Sequence, residues 1–262
     1  MVQYNISVTT KTGLKMTNRM RLLWERCSDG YGVVDFDASL VDWERPDPQS
    51  WEVKPQPDLP APMPMLLEKY GAALLYGGGN DFEPFKVIYP IGKRTVKFDP
   101  IKSAPSLYLE FANTPCSTGG VLEFVSEYGL LETKKGFETV DVWCAHIKRM
   151  HSAISKWEKV RKDSPAAFAK IYKRLCPCSD KGMSLSLQVG PSSTLKQFLE
   201  PESLLSAIWV QFAGAIEGAT SFSPCQECSV WIDTVPGSNR PDKIYCSDAC
   251  RMRAYRKRKA SK

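Results

Sequence analysis

The stretch CQECSVWIDTVPGSNRPDKIYCSDACRMRAYRKRK, residues 225–259, decides how this chain is read. Cys225 and Cys228 are separated by two residues, Cys246 and Cys250 by three, and 17 residues lie between the pairs. A two-residue gap lets one tight turn present both sulfurs to a single ion, and zinc favours tetrahedral sulfur ligation. Val230-Trp231-Ile232 has strand character and Pro236-Gly237-Ser238-Asn239 is rich in turn formers, which predicts a hairpin after the first pair. Ser247 or Asp248 is placed to cap a helix that starts just past Cys246 and carries Cys250 in its first turns. Knuckle, hairpin and helix-borne second pair describe a treble-clef-like zinc finger over residues 223–262. Four cysteine ligands leave no position for water or substrate, so the zinc is expected to be structural. The segment has few large apolar side chains, and metal binding supplies on the order of 10 kcal/mol of folding free energy in isolated finger peptides.

The helix after Cys250 is strongly basic. From Arg240 to Lys262 nine Lys/Arg stand against Asp242 and Asp248, a net +7, so the other 239 residues carry −1 of the total +6. Helix-dipole complementarity asks for one or two late cations, not six in nine positions. Met252 and Tyr255 share a face expected to pack on the knuckle and Trp231. Arg253, Arg256 and Lys257 share a second face, and Arg251 and Arg258 a third. Cations on two sides of a helix can meet phosphates on both walls of a groove. The expected nucleic-acid contacts are Lys243, Arg251, Arg253, Arg256, Lys257, Arg258 and Lys259, with Arg251, Arg253 or Arg256 able to read guanine. DNA is the expected partner; RNA is the alternative, with Tyr255 and Trp231 available for stacking.

Upstream, residues 99–222 read as a helical domain. Val140, Trp143, Ile147, Met150, Ile154 and Trp157 recur at alternating spacings of three and four, the buried stripe of a long helix. That stripe faces either an intramolecular core or a homodimer seam. Further helices are expected over Val121–Leu131 and near Glu202–Glu217, and Ser184–Val189 reads as a strand or an extended link. Residues 1–98 form a mixed α/β region: a short helix from Thr17 through Trp24, strands at Val33–Phe36 and Lys86–Tyr89, and a strap of seven prolines between Pro46 and Pro64. The fold class is α+β, mainly helical, in three regions.

Other features point to no chemistry. His146 and His151 lie five apart on the long helix, about 140° round from one another, poorly placed to share a metal. Cys176-Pro177-Cys178 has no second pair beside it, and Cys27, Cys116 and Cys144 read as small buried hydrophobes. The glycines at 77–80 lack the Gly-Lys-Ser/Thr of a phosphate loop, and Asp35 and Asp37 read as a solvated strand face. No nucleophile elbow, His-Glu metal helix or dinucleotide fingerprint is present, so an enzyme is not expected. No apolar run reaches the roughly 20 residues of a membrane span, and the start has no secretory apolar core, so a cytoplasmic site is expected.

The layout Cys-x2-Cys…Tyr-Cys-Ser-x2-Cys-x2-Arg-Ala-x-Arg resembles the CGNR-type zinc finger of bacterial proteins. Leu109-Glu-Phe-Ala-Asn113-Thr114 and Leu122-Glu-Phe-Val-Ser-Glu-Tyr-Gly-Leu-Leu131 are similar to the opening helices of that family. The resemblance covers residues 105–259, and the signature tetrad reads Cys250-Arg251-Met252-Arg253 in place of Cys-Gly-Asn-Arg. It implies a helical domain, a zinc finger and the role of a stress-responsive transcription regulator. The rival reading is a protein-interaction module in which the finger docks a partner without touching nucleic acid.

Overall fold

The buried stripe of the longest helix, Trp143, Ile147, Met150 and Ile154, is the axis of the core. The computed structural model describes residues 5–9, 15–20, 22, 24–36, 85–104, 106–132, 136–160, 172, 176, 183–189, 195–217, 220–233 and 243–260. Its strands are β1 (Asn5–Thr9), β2 (Lys15–Met20), β3 (Trp24–Cys27), β4 (Tyr31–Phe36), β5 (Phe85–Pro90), β6 (Thr95–Phe98), β7 (Glu138–Thr139), β8 (Met183–Val189), β9 (Leu195–Pro201), β10 (Phe222–Pro224) and β11 (Trp231–Asp233). Its helices are α1 (Pro100–Ser103), α2 (Leu107–Asn113), α3 (Thr118–Tyr128), α4 (Val140–Val160), α5 (Leu204–Glu217) and α6 (Asp248–Ala260). The fold is α+β. The proline strap, the glycines at 77–80, Asp37, Cys178 and the turn at 236–239 lie outside the described residues.

Helices α2, α3, α4 and α5 form where the three-four spacing of apolar residues lets each bury one stripe. Phe111, Phe124 and Trp143 meet edge to face, with centroids 5.4, 5.7 and 6.1 Å apart. Ser117 caps α3 by accepting from the Gly120 N–H at 3.2 Å. Gly129 ends α3 at φ 85°, where a Cβ would lie 3.2 Å from the Glu25 carbonyl oxygen. That close approach seats β3 against the helix.

The sheets are small. β4, β5 and β7 form an antiparallel sheet, β3 pairs with β6, and the remaining larger sheet has the order β1-β2-β9-β8. The strands expected at 33–36 and 86–89 are the paired β4 and β5, and residues 184–189 belong to β8. The short helix expected from Thr17 is not formed; residues 15–20 and 24–27 are strands instead. Residues 15–19 pair antiparallel with β1, Met20 lies beside Leu199 and Trp24 beside Phe98, and that pairing overrides a weak local helix signal. Leu22, Trp24 and Ile88 share one continuous core with α2 to α5. Among the described residues, no helix is long and apolar enough to cross a membrane.

Candidate metal centre and basic helix

β10 brings the chain off the helical body into the first cysteine pair. Phe222 is buried against Tyr108 and Phe212, at centroid distances of 6.0 and 6.3 Å. Its N–H donates to the Glu158 carboxylate at 2.5 Å, and the Trp157 indole N–H donates to the Thr220 carbonyl at 2.8 Å. A tight turn follows. The Ser229 N–H donates to the Cys225 carbonyl at 2.9 Å and the Cys225 N–H to the Val230 carbonyl at 2.8 Å. Ser229 closes this knuckle at φ 61°, in the left-handed region that side chains other than glycine avoid.

β11 returns antiparallel to β10, so the expected strand at Trp231 pairs with the segment before the knuckle, and the turn expected at 236–239 lies outside the described residues. The reason is at hand: the knuckle itself reverses the chain, which lets Ser223 lie opposite Ile232. Asn113, the last residue of α2, then fastens β11 to the body. Its Nδ2 donates to the Trp231 carbonyl at 3.0 Å and its Oδ1 accepts from the Trp231 N–H at 2.7 Å. A side-chain amide thus completes the pairing a neighbouring strand would supply. The His151 ring lies 5.5 Å from the Trp231 ring.

The second pair is carried by α6. Ser247 is the cap, its Oγ accepting from the Cys250 N–H at 3.3 Å. The Gln226 N–H donates to the Ile244 carbonyl at 3.0 Å, which clamps the approach to Cys246 onto the knuckle. The sulfurs of Cys225, Cys228, Cys246 and Cys250 all lie within 4.8 Å of one another. Two pairs, Cys228 with Cys246 and Cys246 with Cys250, are 3.5 Å apart. The four are positioned to hold a metal ion. Cys225 and Cys250 are buried, Cys246 is half-buried and Cys228 is exposed at the rim.

The electrostatics of the cluster favour a cation. Burial pushes the Cys225 thiol up, but backbone N–H groups of Cys246, Cys228 and Glu227 outweigh it and bring it down to about 6. Cys246 is pushed up to about 12, by burial first and then by its neighbours Cys250 and Cys228. Cys225 is thus held toward the thiolate and Cys246 toward the thiol, and positive charge beside the sulfurs favours the thiolate form. Arg253 supplies part of that charge by donating to the Cys250 sulfur at 3.2 Å.

The seven expected nucleic-acid contacts divide in the structure. At about 100° per residue, Arg253, Ala254 and Lys257 follow Cys250 on the knuckle side of α6. Arg253 is engaged on sulfur, and Lys257 lies 2.6 Å from Glu227, whose side chain is only 8% exposed. Arg251 lies 3.2 Å from Asp248, both exposed. Among the described residues Arg256, Arg258 and Lys259 make no ion pair, and all three are exposed. Lys243 is half-buried in the approach to Cys246. Met252 and Tyr255 do not pack on the knuckle; they are 45% and 53% exposed, because the knuckle side is already filled by Cys250 and its followers. Tyr245 takes the expected place, packing with Ile232 on the cysteines.

The remaining expectations resolve plainly. His146 is a buried helix residue, with Nδ1 unpartnered and Nε2 3.9 Å from Glu132, and desolvation holds its pKa below the ordinary value. Cys27 and Cys176 are buried, whereas Cys116 is exposed and Cys144 half-buried. Asp35 is a solvated strand residue 3.1 Å from Lys86. Sequence reasoning missed the role of Asn113, His151, Glu158 and Glu227 in seating the finger. No protein-family model matches the chain, and no curated protein matches it.

Proposed function

We propose that the chain is a zinc-finger protein that binds DNA through α6 and acts as a transcription regulator in a reducing cytoplasm. The supporting observation is the projection of a helix bearing exposed Arg256, Arg258 and Lys259 directly from the fourth cysteine. Zinc fits the cluster. A tetrahedral ion with bonds of about 2.3 Å to sulfur separates its ligands by about 3.8 Å, and the sulfurs here lie 3.5 Å apart in two pairs and within 4.8 Å throughout. The site is closed to substrate, so zinc orients α6 and does no chemistry. The resemblance to CGNR-type fingers agrees with this reading, and the helical body serves for sensing or dimerisation.

The test has two parts. Metal analysis of the purified chain should return one zinc per chain. Binding to duplex DNA, followed by anisotropy, should weaken steeply with salt. Replacing Arg256, Arg258 and Lys259 together by Ala should flatten the log–log salt slope by about 2.7, from about 0.9 per lost phosphate contact. Equal binding by parent and triple variant at moderate salt would refute the role of α6.

A second reading is favoured by the exposed apolar groups Ile244, Met252 and Tyr255 around the finger. In it the finger docks a protein partner. Pull-down with and without nuclease separates the two, since a protein partner survives nuclease treatment.

A further inference from the structure

We propose that the outer face of α6 takes an unpaired DNA strand, with Tyr255 stacking on a base while the surrounding cations hold its phosphates. This deepens the DNA-binding reading above and rests on it. Tyr255 is 53% exposed and Met252 is 45% exposed, on the side of α6 turned away from Cys250. The helical neighbours of Tyr255, three and four residues away on either side, are Arg251, Met252, Arg258 and Lys259. The phenol ring therefore sits in a frame of three cations and one thioether.

Phosphate binding alone gives no use to that ring. A duplex keeps its base faces stacked and offers this helix edges, sugars and phosphates, whereas an unpaired strand offers a base face at each nucleotide. An aromatic side chain beside backbone-binding cations is the combination that single strands reward. The occupant must also neutralise Arg251, Arg258 and Lys259 while covering apolar surface, and a strand bearing one phosphate per base does both along one line. Among the described residues Arg251 is held only by the exposed Asp248, a bridge that a phosphate can replace at little cost.

The experiment uses the zinc-loaded full chain and two labelled probes, oligo-thymidine and a duplex of matched length, read by anisotropy. Tyr255 is exposed, so its variants should keep zinc content and helicity. Tyr255→Ala should weaken single-strand binding about 5- to 150-fold. Its salt slope should stay that of the parent, because no charge is removed. Tyr255→Phe should bind like the parent. Tyr255→Ala binding the single strand as tightly as the parent would overturn the proposal, as would Tyr255→Phe losing as much as Tyr255→Ala, or a parent that prefers the duplex. If the Arg256/Arg258/Lys259 triple variant weakens binding and Tyr255→Ala does not, this inference fails and DNA binding stands. If the parent binds neither probe at low salt, both fail.

Discussion

Asn113→Ala tests how the finger is joined to the helical body. The side chain makes two hydrogen bonds to one residue, donating to the Trp231 carbonyl at 3.0 Å and accepting from its N–H at 2.7 Å. Both are partly buried. Each bond contributes about 0.5–1.5 kcal/mol net, and truncation also leaves two backbone groups unmatched, so the expected loss is about 2–3 kcal/mol. Tyr108, Phe212 and the Glu158 contact to Phe222 remain, so the finger should still dock, but should open more often. Hydrogen exchange at the β11 amides should therefore speed up by about 30- to 150-fold with zinc bound. Exchange in α4 should be unaffected. Asn113→Asp is the informative control. It keeps an oxygen for the Trp231 N–H but sets a carboxylate oxygen against the Trp231 carbonyl, and should behave no better than Ala. Exchange at β11 unchanged in Asn113→Ala would refute the claim that this amide anchors the finger.

Three further outcomes follow from the same geometry. Cys246→Ser removes the sulfur that lies within 3.5 Å of both Cys228 and Cys250, and should release the metal and cost α6 its helicity while α2 to α5 persist; zinc stoichiometry and far-UV circular dichroism check this. Ser229→Gly relieves the left-handed backbone at φ 61° and should stabilise the finger by about 1 kcal/mol, read as slower zinc loss to a chelator. His146 is buried with its folded-state pKa below the ordinary 6.5, so the unfolded chain takes up the proton first. Stability should fall as pH drops below about 6.5, and His146→Gln should flatten that limb in urea titrations at stepped pH.

What could be read from the sequence was what is decided locally. The stripe from Val140 to Trp157 gave the long helix because its spacing matches the helical repeat, and the cysteine spacings located the cluster because one turn sets each pair. Strand partners are another matter. The stretch at residues 24–27 has no strong alternation, and it is a strand because it pairs with residues 95–98, a contact with no local trace. Asn113 and Trp231 are likewise 118 residues apart. The division of the α6 cations was readable in principle, since Arg253 and Lys257 stand three and seven positions after Cys250. Grouping the cations by one another leaves out the cysteine that faces the knuckle, and their spacing from that cysteine is what divides them.

That division changes what the basic helix is. The finger's own apolar core is small, with Ile232 and Tyr245 packed on the cysteines, and α6 beyond Cys250 buries nothing further. A helix held by one ligand would pivot on it. Two of its cations prevent this: Arg253 reaches back to the Cys250 sulfur, and Lys257 reaches across to Glu227 inside the knuckle. Both contacts use the side of α6 that faces the cysteine cluster, and both set the helix's roll as well as its direction. With that roll set, Tyr255, Arg256 and Lys259 have no choice but to face outward, and Arg258 flanks them. Asn113 in turn fixes β11, and through it the knuckle, on the body. The +7 of the tail is thus two kinds of charge, one that aims the helix and one that the aimed helix presents.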